Sequence, residues 1–281
     1  MSRGLGECQS AVIPQRSAYL ELSGANWCSC LLSSYAYLRH SWQTQWLGLP
    51  QLVEECASFL DLGQEGDGSP TRLLLDLALA VARQIESENG CGIETHEPHY
   101  HNRLHFADSL TTITLQCGLE VRHGAVSEPE WQAALLLIAV AHDLQHPGRV
   151  NRHTSDIESA SVNALLPLMT SMNLSEIWIE RIRKVILGSD FSLVRENHAR
   201  VAGLPFQWTT EWATVLLNEA DIMASASADF GPGLSLALSK EWEAVQFAPH
   251  ATVATEWGRR QFLSNIQFSS FSARTLSAGL F

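Results

Sequence analysis

Two histidines and an aspartate are spaced so that one helix face would carry all three. In PHYHNRLHFADSL (98–110), His101, His105 and Asp108 follow one another at intervals of four and three residues. Residues at these intervals are neighbours on a helix. A lone histidine on such a face is more often an ordinary hydrogen-bonded side chain. Two imidazoles beside a carboxylate, however, suit a divalent metal ion or proton transfer.

A strongly apolar segment carries a second group of polar residues at its end. In LLLIAVAHDLQHPGRVN (135–151), the predicted helix ends at His142 and Asp143, and His146 follows before Pro147-Gly148. Adjacent side chains point about 100° apart on a helix, so both contact one cation only near the helix end or between two metals. Asp143 has two oxygens and could bridge two cations. His146 could orient a ligand or a metal-bound water.

A third segment places one carboxylate among small and apolar residues. In WATVLLNEADIMASASADF (212–230), Asp221 follows Ala220 and precedes Ile222. Burying an aspartate in such surroundings costs free energy unless the carboxylate is paired or binds a metal. The alternative is that Asp221 faces solvent beside Glu219.

The elements around these residues are predicted to be helical. Hydrophobic residues recur at helical intervals, and no segment alternates with the period of a strand. We therefore predict an all-α, multi-helix bundle. The predicted helices cover residues 50–60, 69–88, 99–117, 128–143, 154–172, 175–188, 210–226, 233–246 and 255–267.

A polar, glycine-rich stretch, GQEGDGS (63–69), is the best candidate for a boundary. We predict that residues 1–68 form an N-terminal extension, irregular with one short helix, which packs on the main body. Residues 69–281 are predicted to form the catalytic domain. The helix from 69 to 88 is predicted to end at ENGCG (88–92).

Composition limits the classes of partner. The chain has 281 residues and a formal net charge of −12, which disfavours binding to long nucleic acid. A phosphate-bearing small substrate would need local positive charge, for which bound divalent metal is the usual source. We find no apolar run long enough to span a bilayer and no secretory signal, so we expect a cytoplasmic protein with reduced thiols.

Together, the segments YHNRLH, HDLQHPGRVN and EADI resemble the signatures of class I 3',5'-cyclic nucleotide phosphodiesterases, a branch of the HD-type metal-dependent phosphohydrolases. The resemblance implies an HD-domain, phosphodiesterase-like fold with His101 as the general acid. It implies two divalent ions, zinc (or iron or manganese) at the first site and magnesium or manganese at the second. The implied ligands of the first ion are His105, His142, Asp143 and Asp221. Asp143 would bridge to the second ion, and a hydroxide between the two would attack phosphorus.

The same resemblance implies residues around the ligands and the substrate. The residues near the ligands or their waters are His146, Asn151, Glu158, Ser189 and Asp190. The residues that would contact the substrate are Tyr100, Gln267 and Phe271. Gln267 would grip the base and Phe271 would stack on it, with Gln261 and Phe262 as a second choice. Phe271 could equally be a core residue.

Departures from the family pattern leave alternatives open. Asn218 stands where the family has histidine, Ala224 stands where it often has asparagine, and the C-terminal third is short. We expect hydrolysis of cAMP, cGMP or both to the 5'-monophosphate, with a small-molecule cyclic nucleotide as partner and a homodimer as one possible assembly. The alternatives are another HD-type nucleotide phosphohydrolase, or a catalytically weak sensor that binds metal and nucleotide.

Overall fold

A computed structural model describes residues 12–13, 24–64, 66, 68–89 and 97–280 of the chain. Every regular element in these residues is a helix, which confirms the all-α prediction. In chain order the helices are α1 Gly24–Thr44, α2 Leu49–Phe59, α3 Pro70–Asn89, α4 Arg103–Arg122, α5 Pro129–Ala141, α6 Asp156–Ser171, α7 Glu176–Leu187, α8 Val194–Val201, α9 Thr210–Ala226, α10 Gly231–Ala244, α11 His250–Val253, α12 Glu256–Asn265 and α13 Phe271–Ser277. Short 3-10 turns occupy Leu62–Gln64 and Phe191–Leu193. Among the described helices, none is both long and apolar enough to cross a bilayer.

The core is built around α5 and α4. Helix α5 begins with Pro129 in its first turn and is buried on every side from Trp131 to Ala141, as expected for a helix that is hydrophobic all round. It packs against α3 and α4, and α9 also packs against α4. The first turn of α4 and the last turn of α5 lie inside the protein, where a polar side chain is shielded from water.

The N-terminal segment differs from its prediction. We expected irregular structure up to about residue 48, but residues 24–44 form helix α1. Its buried residues Trp27, Leu31, Tyr35 and Leu38 recur at intervals of four, four and three, a helical period that the serine residues between them obscure. The remainder of residues 1–23, apart from Val12 and Ile13, lies outside the described residues.

The predicted boundary near residue 68 stays a prediction. Helices from both sides of it contribute to one hydrophobic core, which contains Leu52 of α2 and Leu74 of α3. Within the polar stretch itself, Glu65 and Asp67 lie outside the described residues. So do residues 90–96, where most of the predicted ENGCG helix stop falls.

A buried ion pair joins α1 to α4. Both guanidinium nitrogens of Arg39 donate to the carboxylate of Asp108, at 2.9 and 2.8 Å. The Asp108 side chain is only 3% exposed, and the Arg39 guanidinium also lies 4.4 Å from the Phe230 ring centroid. Asp108 is therefore a structural residue, and our expectation that it shares a functional face with His101 and His105 is wrong.

Removing the arginine from this pair should destabilise the fold. In Arg39→Ala, Asp108 would keep its burial and lose its bidentate partner, so we expect the free energy of unfolding to fall by about 3–5 kcal/mol. Arg72→Ala is the control, because Arg72 pairs with Asp76 at the surface and its loss should cost at most about 1 kcal/mol. Urea unfolding of both variants measures the difference. Equal losses would contradict the argument.

The C-terminal segment is held by a buried carboxylate of α9. Glu219, which is fully buried, accepts hydrogen bonds from the backbone N–H groups of Ser269 and Ser270 at 2.5 and 2.9 Å, and from the Ser270 hydroxyl at 2.5 Å. Burial raises the pKa of Glu219 to about 7, even though these hydrogen bonds act to lower it. The carboxyl group is therefore partly protonated near neutral pH.

This raised pKa makes stability depend on pH. The folded-state pKa of Glu219, about 7, exceeds the ordinary value of 4.5, so its contribution is full below about pH 4.5 and is lost as the pH rises through 7. At about 1.4 kcal/mol per pH unit, the loss is roughly 3 kcal/mol. Glu219→Gln carries no such penalty. Relative to the wild type, it should gain stability between pH 5 and pH 8 in parallel denaturant titrations, and a difference that does not change with pH would refute this account.

Candidate metal centre

Three helices bring four ligand-type side chains to one point. His105 lies in the first turn of α4, where the Asn102 side chain caps the helix by accepting from the N–H groups of Leu104 and His105. His142 is the residue at which α5 ends, and Asp143 follows it in a turn. Asp221 comes from the middle of α9. The helix ends and the α9 face thus place residues that are 116 positions apart in one cluster.

The ligand-type atoms of this cluster lie close to one another. His105 Nε2 lies 3.2 Å from Asp143 Oδ2 and 3.0 Å from Asp221 Oδ1. His142 Nε2 lies 3.3 and 3.6 Å from the same two oxygens. One ligand atom from each of the four residues lies within 4.8 Å of the other three. These buried groups could hold a metal ion.

Two unsatisfied nitrogens support that fit. Nε2 of His105 and Nε2 of His142 are buried and have no partner with hydrogen-bond geometry in the part of the chain that the structure describes, although the carboxylates are close. Buried polar atoms without a partner are rare and need an explanation. Two imidazole nitrogens and two carboxylates are a donor set for zinc or another borderline divalent ion.

A hydrogen bond sets the tautomer of His142. Its Nδ1 lies 3.0 Å from the carbonyl oxygen of Ala139. Because a carbonyl only accepts, Nδ1 must donate, and a neutral ring then keeps the lone pair on Nε2, which faces the cluster. Metal-binding histidines are commonly oriented in this way by a backbone carbonyl.

Charge within the cluster is balanced by protons unless a cation replaces them. Burial lowers the pKa of His105, but the carboxylates of Asp143 and Asp221 outweigh it and raise that pKa to about 9. The same contacts hold the pKa of each aspartate below its usual range, against the effect of burial. A metal ion would have to displace the protons on both imidazoles, so its affinity should fall as the pH falls.

His101 lies beside the cluster but in a different element from the predicted one. It belongs to the turn before α4, which begins at Arg103, so it does not project from the helix face we expected. Its Nε2 lies 3.9 Å from Asp143 Oδ2. On the other edge of the ring, Nδ1 is hydrogen bonded to Glu241 Oε1.

Glu241 of α10 is a site residue that sequence reasoning missed. Its Oε2 accepts from the backbone N–H groups of Tyr100 and His101, at 2.8 and 3.1 Å. Burial acts to raise the pKa of Glu241, but the hydrogen bond with His101 and the charge of that ring keep it below its usual value. A single glutamate 140 residues after its partner, in an otherwise amphipathic helix, gives no local signal of this role.

His146 packs face to face on His101. The two ring centroids are 3.6 Å apart with an interplanar angle of 27°, and His146 Nδ1 accepts from the backbone N–H of Gly148 at 3.1 Å. Burial and the neighbouring His101 lower the pKa of His146 to about 4, so its ring is neutral at pH 7. Gly148 has a φ of 68°, and a Cβ there would lie 3.1 Å from Glu241 Cγ.

Three of the residues predicted to surround the ligands make hydrogen bonds to each other or to nearby backbone. Asn151 donates to both carboxylate oxygens of Glu158, at 3.1 and 2.9 Å, and burial raises the pKa of Glu158 to about 6. Asp190 accepts from the backbone of Ser155 at 2.6 Å and of Ser192 at 2.8 Å. Contacts between these residues and metal-bound water stay predictions.

Two further positions on this side of the protein have structural hydrogen bonds. The Ser189 hydroxyl donates to the carbonyl of Ile186, within its own turn. Asn218, which replaces the family's histidine, donates to the Gly188 carbonyl and accepts from Asn197. This asparagine therefore joins α9 to the end of α7 and to α8.

Of the residues predicted to contact the substrate, Tyr100 lies next to the His105 cluster. The Tyr100 ring lies 5.0 Å from the His105 ring, and its hydroxyl is hydrogen bonded to Ser225 at 2.8 Å. Tyr100 thus packs against His105, and its contact with substrate stays a prediction.

The assignment of Phe271 as a base-stacking residue is wrong. Its ring stacks on His123 at 3.5 Å and 6°, and His123 is the residue at which α4 ends. His105 lies at the other end of that helix. At about 1.5 Å per residue, the 18 intervening steps correspond to roughly 27 Å. Gln267 is exposed, and among the described residues no hydrogen bond connects it to the cluster.

Neither a family model nor a curated protein matches the chain. The fold and the site define an all-helical protein with a buried group of histidines and aspartates that could hold a metal ion. Any function therefore has to be argued from these side chains.

Loss of one ligand should abolish tight metal binding. In Asp221→Ala, two imidazole nitrogens and one carboxylate remain, and we expect zinc affinity to fall by at least about 100-fold, because even outer residues around metal sites cost about 10–100-fold. Glu219→Gln is the matched control, since Glu219 lies two residues earlier and contacts Ser269 and Ser270 instead. Competition titrations with a chromophoric zinc chelator measure both variants. Equal affinity of Asp221→Ala and wild type would overturn the ligand assignment.

Proposed function

We propose that this protein hydrolyses a phosphodiester by metal-dependent catalysis and that its substrate is a 3',5'-cyclic nucleotide, which it converts to the 5'-monophosphate. The observation that carries the proposal is the pairing of two features. One is the cluster of four ligand-type residues with unsatisfied imidazole nitrogens. The other is His101, held by Glu241 at the edge of that cluster. A site that only bound metal would not need the second feature.

The four clustered residues would hold the metal. His105, His142, Asp143 and Asp221 suit zinc, iron or manganese at a first position. A second carboxylate oxygen on Asp143 could be shared with magnesium or manganese at a second position, which favours oxygen ligands. When bound, such ions supply a water nucleophile at neutral pH and positive charge for the phosphoryl oxygens. That charge also offsets the acidic character of the protein, whose formal net charge is −12.

His101 would supply the proton for the leaving group. Because Glu241 accepts from Nδ1, a protonated His101 ring carries its transferable proton on Nε2, on the edge that lies 3.9 Å from Asp143. As the bond between phosphorus and O3' breaks, this proton passes to O3', and the oxygen of water forms the new bond to phosphorus. The sum is the addition of one water. Glu241 fixes the orientation of the ring, and a general acid must be positioned within reach of the oxygen that it protonates.

A second candidate function is supported by the position of Phe271. Since this ring stacks on His123 at the far end of α4, the aromatic clamp expected for a cyclic nucleotide phosphodiesterase is not formed by that residue. The second candidate is therefore hydrolysis of another nucleotide phosphate by the same cluster, as in other HD-type phosphohydrolases.

A product assay separates these functions. Protein loaded with zinc and magnesium is incubated with cAMP, cGMP and acyclic nucleotides, and products are separated by chromatography. Formation of 5'-monophosphate from a cyclic substrate supports the proposal, and turnover of acyclic nucleotides alone supports the second candidate. No turnover of any substrate would contradict both and indicate a binding protein.

The role of His101 has its own test. His101→Ala should lower kcat by about 10²–10⁴-fold, because proton transfer from a positioned side chain contributes that much, while the zinc bound tightly at the His105 cluster stays unchanged. His99→Ala is the control, since His99 is exposed two residues earlier and should keep full activity. If His101→Ala lost zinc in proportion to activity, the residue would be a ligand instead of the acid.

A further inference from the structure

A second group of ligand-type side chains lies beside the first and shares no residue with it. His101, His146 and Glu241 each offer one ligand atom, and the three atoms lie within 4.8 Å of one another. They come from the turn before α4, the loop after α5, and α10. We propose that these three residues form a separate site for a transition metal ion such as Zn²⁺, weaker than the His105 cluster, and that its occupation inhibits the protein.

The donor set favours this class of ion. Two imidazoles and one glutamate are the ligands of one common type of catalytic zinc site, in which further positions are taken by water. Imidazole-rich sites select zinc, copper and nickel over magnesium, which prefers oxygen. The proposed site is therefore chemically distinct from a second magnesium or manganese position on Asp143.

One member of this group can be reached from solvent. The His101 side chain is 17% exposed, whereas that of Glu241 is 3% exposed. A free ion can thus arrive at His101 from solvent while the inner cluster is already filled. His146 Nδ1 is occupied by the Gly148 N–H, which leaves Nε2 as its ligand atom.

The stacked rings explain why binding is weaker. A ring nitrogen binds a cation in the plane of its ring, but the rings of His101 and His146 are nearly parallel at 3.6 Å. One ring must rotate before both nitrogens can reach the same ion. Glu241 must also give up its hydrogen bond with His101 Nδ1. Binding therefore costs existing contacts, which the inner cluster, with its two unsatisfied nitrogens, does not lose.

Inhibition follows from the use of His101. An ion held by His101, His146 and Glu241 breaks the contact between the His101 ring and Glu241, and the rotation that it requires moves Nε2 away from the edge that faces Asp143. This consequence rests on the proposed hydrolytic function, whereas the existence of the site does not.

Zinc titration of the full chain, stripped with a chelator and followed by calorimetry, tests the site. We expect two classes of binding in the wild type. His146→Ala and Glu241→Gln should each weaken the weaker class by at least tenfold and keep the tight class, with a cooperative thermal melting transition as the check on folding. Asp221→Ala should lose the tight class and keep the weaker one. His153→Ala, which removes an exposed histidine from the same loop, should change neither.

The binding and inhibition experiments test the site and its inhibitory role separately. A single class in the wild type, or a weaker class that survives in both His146→Ala and Glu241→Gln, would overturn the site. In an active preparation, excess zinc should inhibit the wild type, and His146→Ala should need at least tenfold more zinc for the same fractional inhibition. Equal zinc sensitivity of the two would overturn the inhibitory role. Absence of turnover would overturn the proposed hydrolysis, and the two binding classes would still decide the site.

Discussion

The arrangement of α4, α5 and α9 depends on how buried charge is balanced at their meeting point. Asp143 and Asp221 lie against two imidazole rings, and all four ligand atoms are within 4.8 Å. The two carboxylates repel each other and lose part of their hydration, so they need positive charge nearby. Protonated histidines supply this positive charge in the pH range below their raised pKa values. A divalent ion would supply more charge and would not need the geometry of a hydrogen bond. The unsatisfied Nε2 atoms favour the ion.

Glu241, which is distant in the chain, contributes a further buried carboxylate next to this cluster. It binds the backbone of Tyr100 and His101 as well as the His101 ring, so α10 fixes the turn that precedes α4. Arg259 of α12 reinforces this side by donating to the carbonyls of Ser225 and Ser227 at the end of α9. The orientation of the candidate acid therefore depends on helices that contribute little to the hydrophobic core.

The features that could be predicted from the sequence are those that depend on residues close together in the chain. His142 and Asp143 end a uniformly apolar helix, and Asp221 is flanked by apolar residues, so the cost of burial suggested carboxylates that are paired or bind a metal, and the family resemblance grouped them with His105 in one site. Glu241 could not be found in this way, because its role exists only after folding brings together residues 140 positions apart. Helix α1 was missed because the polar residues between its buried positions hide the period. Phe271 was misplaced because an aromatic residue that packs on the core and one that stacks on a ligand have the same local pattern.

The exposed fraction of the side chains rises across the site from the two imidazoles to Asp221, and this gradient affects access to the site. His105 and His142 are almost completely buried, Asp143 and His101 are partly shielded, and the Asp221 side chain is 28% exposed. Electrostatic interactions strengthen as water is excluded, so the two buried imidazoles would hold an ion at the interior side of the cluster. Among these five side chains, those of Asp221 and His101 are the most exposed. The proposed proton donor and one carboxylate of the cluster are therefore both open to solvent, as the proposed hydrolysis of a phosphate ester would require.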